Sequence, residues 1–149
     1  MATVEVTFTP LPAHVRTARL VATAVARRSG VDEALLDEVR LAVGEACSRA
    51  VEAHRRHCPA EPVKIEMTDQ GERFVVVVSD QAPTSNAALH GAAGANGHGV
   101  ATLVQGTDDA IPAGFGLAVI SGLADEVHVS STSSGVSVRM SWPSATTVG

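Results

Sequence analysis

With 149 residues, 45% of them hydrophobic and 18% charged, the chain is large enough for one domain with a real core and too apolar to be disordered. Its formal net charge of -5 excludes a general electrostatic grip on nucleic acid or on an anionic membrane, though not a nucleotide held by local backbone groups. It contains no run of about eighteen apolar residues, and its first residues lack a basic segment followed by an apolar one, so a cytoplasmic setting is expected.

In chain order, Val4, Val6 and Phe8 alternate with Glu5 and Thr7, which predicts a strand with one buried face, ended by Pro10 and Pro12. His14 to Ser29 reads as a helix with Val15, Ala18, Val21, Ala22 and Val25 on one side, stopped by Gly30 in a left-handed turn. Asp32 is a suitable N-cap for a second helix, with Val31 stapled to Leu36. That helix carries an apolar stripe at Leu35, Leu36, Val39, Ala42, Val43, Ala46 and Ala50. Glu45 and Arg49 share a second stripe, where an i,i+4 ion pair worth a few tenths of a kcal/mol is the ordinary occupant. Cys47 faces the core, so a disulfide with Cys58 is not expected.

Residues 55–62 form a loop, and Val63, Ile65 and Met67 alternate in a half-buried strand. Asp69-Gln70-Gly71 is a turn, and Phe74-Val75-Val76-Val77-Val78 is a β-branched run typical of a central strand, leaving the sheet at Ser79-Asp80. Residues 81–113 are rich in Gly, Ala, Ser, Thr and Asn, and a segment of that length between elements reads as a lid or a disordered segment. Gly114 to Leu123 is the third helix, with Leu117, Ile120 and Leu123 inward; Val127 to Val129 and Val136 to Trp142 are the last two strands. This order predicts a two-layer α/β sandwich, a mixed and mostly antiparallel sheet with helices on one face, in a single domain over 1–143 with a tail at 144–149.

His54, His57 and Cys58 offer at most three metal ligands at a helix end with no second pair at ligand spacing, so no metal site is assigned. Gly114-Phe115-Gly116 before a helix can bring backbone N–H groups and a helix dipole to an anion. Either this pair of glycines or Asp80 alone is a weak signal. The ordered set is stronger: Glu45 on a helix, Asp80 ending a strand, a Gly-rich segment, then Gly-x-Gly-Leu opening a helix.

In this set, carried by Leu41-Ala42-Val43-Gly44-Glu45-Ala46-Cys47, Gly114-Phe115-Gly116-Leu117-Ala118-Val119-Ile120 and Leu123-Ala124-Asp125-Glu126-Val127, the chain resembles the anti-sigma factor/serine-protein kinases of the GHKL (Bergerat-fold) ATPase superfamily, from about Phe8 to Trp142. The resemblance implies a Bergerat fold, ATP bound beneath a lid, and phosphorylation of a serine or threonine on an anti-anti-sigma (STAS-type) partner, or capture of a sigma factor. It puts Glu45 at the catalytic base, Asp80 at the acceptor for the adenine amino group, Gly114 and Gly116 beside the phosphates and Ser137 at the hydroxyl completing the adenine site. It places Arg16 and Arg19 where the first helix meets partners, and it allows a homodimer.

Two positions depart from the family pattern. Where the family carries an asparagine that binds magnesium, this chain has Arg49, whose guanidinium has no free lone pair and repels Mg²⁺, though it can contact a phosphate. Where the family has Asp-x-Gly, this chain has Asp80-Gln81-Ala82-Pro83, adding a Cβ and removing a donor beside the adenine. An ATP-dependent kinase and a degenerate module that binds its partner without phosphorylating it both remain open. The catalytic domain of a sensor histidine kinase is a third, weaker reading, since no dimerisation helices precede the domain here.

Overall fold

The computed structural model describes residues 2–82 and 116–145. In it β1 (Ala2–Phe8) is followed by α1 (Pro12–Arg28), a 3₁₀ turn (Glu33–Leu35), α2 (Leu36–His57), β2 (Val63–Asp69), β3 (Arg73–Ser79), α3 (Gly116–Leu123), β4 (Glu126–Thr132) and β5 (Gly135–Pro143). The strands make one sheet in the order β1-β2-β3-β5-β4, and every pairing is antiparallel. The expected two-layer arrangement is present; of a mixed sheet, the described strands contribute only antiparallel pairs.

Alternation sets which face of the sheet meets the helices. Val63, Ile65 and Met67 of β2, Phe74, Val76 and Val78 of β3, and Val136, Val138, Met140 and Trp142 of β5 form the sheet side of the core. The next residues along each strand face the other way, and that surface is largely polar: Lys64 with Glu66, and Arg73, which bonds Asp125 at 2.8 Å and Ser141 Oγ at 2.7 Å. Trp142 closes the bottom of the core. Its indole Nε1 donates to the Leu123 carbonyl at the end of α3 (3.0 Å), and its ring lies 6.3 Å from that of Phe74.

The helices approach closely because their facing residues are small. α1 buries Val15, Ala18, Ala22 and Ala26; α2 buries Ala42, Val43, Gly44, Ala46, Cys47 and Ala50. α1 begins at Pro12, a residue suited to the first helical turn, rather than at His14 as the apolar spacing suggests. Asp32 acts as an N-cap, accepting from Ala34 N–H at 2.9 Å, but it opens the 3₁₀ turn that leads into α2 instead of α2 itself. Gly30 has φ +91°, and a Cβ there would lie 2.0 Å from the Ala145 carbonyl oxygen; Ala145, the second residue after β5, is hydrogen-bonded back to it, Ala145 N to Gly30 O, at 2.9 Å.

β1 differs from expectation. Val6 and Phe8 are half-buried and Val4 is 39% exposed, because β1 is the edge of the sheet and the helices cover only part of it.

Candidate functional site

Asp80 follows β3 directly and continues its ladder through a bond from its N–H to Val136 O (2.9 Å). Its carboxylate is turned inward and is 1% exposed. Oδ1 accepts from Ala82 N–H at 3.1 Å and from Val136 N–H at 3.2 Å; Oδ2 accepts from the Arg49 guanidinium. Arg49 projects from α2 and is itself only 9% exposed. Removing one partner of such a pair leaves an uncompensated buried charge and costs about 3–5 kcal/mol. Arg49 Nε is buried with no hydrogen-bond partner among the described residues.

Farther along α2, His54 is fully buried. Its Nε2 accepts from Gln81 N–H at 2.8 Å, so the proton resides on Nδ1, which donates to Glu61 O at 2.8 Å. Both ring nitrogens are thereby used, which removes His54 from any metal-ligand set with His57 and Cys58. Arg49 and His54 together fix two consecutive residues, Asp80 and Gln81, at the exit of β3. Gly135 completes the junction: a Cβ there would lie 2.0 Å from Asp80 O, so the turn before β5 can pass only as glycine.

Asp80 and Ser137 line one cavity of about 480 Å³, together with Gln81, Ser130, Thr132 and Ser134. Ser137 Oγ lies 3.2 Å from Ser79 Oγ. Glu45 lies elsewhere, half-buried in a groove of about 360 Å³ between α1 and α2 that also contains Arg19, Ser48, Glu52 and Arg55. Arg19 is half-buried, not a free surface charge: its Cδ would sit 2.6 Å from a Cβ at residue 44, and Gly44 makes the space for it. Arg16, one turn earlier, is exposed. The structure thus brings Asp80 and Arg49 to one junction on the helix side of the sheet, leaves Ser137 beside Ser79 on the opposite face, and sets Glu45 in a separate groove. Gly116 is the first residue of α3; Gly114 and all but the first two residues of the expected lid lie outside the described residues.

The residues present do not fit a magnesium ion at the position the resemblance gives it. A buried cation, Arg49, stands there, already bonded to the nearest carboxylate. Among the described residues no group of three His, Cys, Asp or Glu side chains is placed to hold a metal. Burial pushes the Cys47 thiol up to about 12 against a slight opposing effect of Arg19, and raises Cys58 as well, with Asp80 and Glu61 adding to it. Neither cysteine is in a disulfide.

Gly135 was not among the residues singled out from the sequence, and His54 was weighed there only as a metal ligand, not as a partner of Gln81. His54 had a signal, since it lies four residues beyond Ala50 on the same core stripe, where a histidine must find buried partners. Gly135 reads only as a turn residue, and nothing local announces that Asp80 approaches it.

Among the described residues no helix is long and apolar enough to cross a membrane. Several solved structures share the fold, two of them as follows. The RsbU and RsbW domains of Rv1364c from Mycobacterium tuberculosis align over 97% of this chain with a TM-score of 0.63 and 15% identity, this chain spanning 34% of that one. The mycobacterial sensor histidine kinase MprB aligns over 97% of this chain and 99% of its own, with a TM-score of 0.58 and 15% identity. No curated protein matches the chain. The family model of the histidine kinase-like ATPase domain matches residues 8–142, from the end of β1 to the end of β5. The chain is therefore a member of the histidine kinase-like ATPase domain family, the GHKL type of ATP-binding domain.

Proposed function

We propose that this protein is a regulatory nucleotide-binding domain of the anti-sigma type, whose output is capture and release of a protein partner rather than phosphoryl transfer. The observation that carries the proposal is the buried Arg49–Asp80 pair. Phosphoryl transfer in such sites depends on a metal to neutralise charge developing on the β- and γ-phosphates. Here the metal-ligand position is a guanidinium. ATP would be held by Asp80 at the base and by Gly114 and Gly116 at the phosphates, with Arg49 in place of magnesium. The partner would be a sigma factor or a STAS-type anti-anti-sigma protein. Exposed Arg16 offers an acidic partner a charge, while Arg19 supports the α1–α2 groove beside it.

The kinase reading rests on Glu45, which is retained and half-buried, although the groove it opens to is separate from the Asp80–Arg49 junction. Candidate partners encoded with this protein decide between the two. Incubated with ATP and Mg²⁺, a captured partner should remain unphosphorylated. Glu45→Ala should leave its affinity within about 1 kcal/mol, whereas Arg16→Glu should weaken it in a salt-dependent way. Phosphate appearing on a partner serine, and lost with Glu45→Ala, establishes the kinase instead.

A further inference from the structure

Both charges of the Arg49–Asp80 pair are out of water, so neither can give up its partner without receiving another. The two N–H groups on Asp80 Oδ1 are backbone donors from Ala82 and Val136, and they are fixed by the junction. The exchangeable donor is Arg49 on Oδ2. With the Asp80 side chain 1% exposed, an incoming amino group reaches Oδ2 only by displacing the guanidinium. The displaced Arg49 already has one buried N–H without a partner among the described residues, and it then needs an anion. A phosphate supplies one in the forked geometry that guanidinium favours.

We propose that Arg49 is the specificity-determining residue of this site: it admits only a ligand that carries both an amino-bearing base for Asp80 and a phosphate for Arg49, and it does so without a divalent metal. The inference rests on the reading of Asp80 as the acceptor for the base. A nucleoside offers the amino group but strands the guanidinium. A nucleoside triphosphate lacking the amino group offers the anion but strands the carboxylate. Only a nucleotide such as ATP or ADP exchanges both partners at once. The family's metal position is here filled by the protein's own cation, which serves as a gate in the empty site and as a phosphate clamp in the filled one.

The test is titration calorimetry in EDTA with ATP, adenosine and inosine triphosphate. ATP should bind roughly tenfold or more tightly than either of the others. Adding Mg²⁺ should not tighten ATP binding. In Arg49→Gln the gate is gone, so the preference for ATP over adenosine should fall severalfold or more, to the part that the glycine backbone alone contributes, while Arg49→Lys keeps more of it. If Arg49→Gln fails to fold, the wild-type comparison in EDTA and Arg49→Lys still decide. Adenosine binding as well as ATP to the wild type, or ATP binding that rises tenfold or more with Mg²⁺, overturns the gate and leaves nucleotide binding intact. Binding of none of the three, with or without metal, overturns the gate and the nucleotide-binding reading together.

Discussion

The junction after β3 depends on single atoms, and its residues can be tested one at a time. Gly135→Ala places a Cβ 2.0 Å from a backbone oxygen that cannot swing away, so a loss of about 2–3 kcal/mol is expected in urea unfolding. His54→Phe keeps the bulk of the ring but leaves Gln81 N–H and Glu61 O without partners, which should cost about 1–3 kcal/mol. Cys47 gives a pH prediction. Its thiol titrates near 9.0 in an unfolded chain and near 12 when folded. The folded pKa is raised, so the contribution to stability is intact below pH 9 and is lost as pH climbs toward 12, by up to about 1.4 kcal/mol per unit. At pH 8, alkylating reagents should therefore label Cys58 in the native protein and Cys47 only when the protein unfolds, as peptide mapping would show. Rapid native labelling of Cys47 would contradict its burial. The Arg49–Asp80 pair itself was not legible in the sequence. The two residues lie far apart in the chain, and their meeting depends on where β3 exits relative to a turn of α2.

At the scale of elements, the periodic segments were readable and the edges were not. α2 and β3 announce themselves because a long small-residue stripe and a run of β-branched residues each suit one conformation. The lengths of β4 and β5 exceeded their apolar cores, since Ser130, Ser131 and Thr132 extend β4 through ladder bonds that no hydrophobic pattern marks. The exposure of Val4 was equally hidden, because being an edge strand is a property of strand order, and strand order is not local. This contrast is measurable. Val4→Thr should shift stability by no more than about 0.5 kcal/mol, whereas Val76→Ala, at a fully buried position of the middle strand, should cost about 2–3 kcal/mol. Equal effects at both positions would mean that β1 is covered in solution by something other than the contacts made among the described residues.

For the whole molecule, the segment after β5 joins parts of the chain that are distant in sequence. Ser144 N–H bonds Glu72 O and Ala145 N–H bonds Gly30 O, both at 2.9 Å. Truncation after Pro143 removes both, for a loss of about 1–2 kcal/mol and a fall in Tm of roughly 2–8 °C, observable by calorimetry. The sheet order has a further consequence. β5 lies between β3 and β4 although it follows both in the chain, and among the described strands it is the only one that β4 pairs with. A ribosome delivers about 5–20 residues per second in chain order. While β5 is still inside the exit tunnel, the nascent chain presents the Phe74–Val78 segment with an open row of backbone donors and acceptors, and β4 has nowhere to dock. Sheet completion must therefore wait for the last strand to emerge. Yield in a cell should therefore fall when chaperones are scarce or growth is warm, conditions that penalise the time this edge spends unzipped.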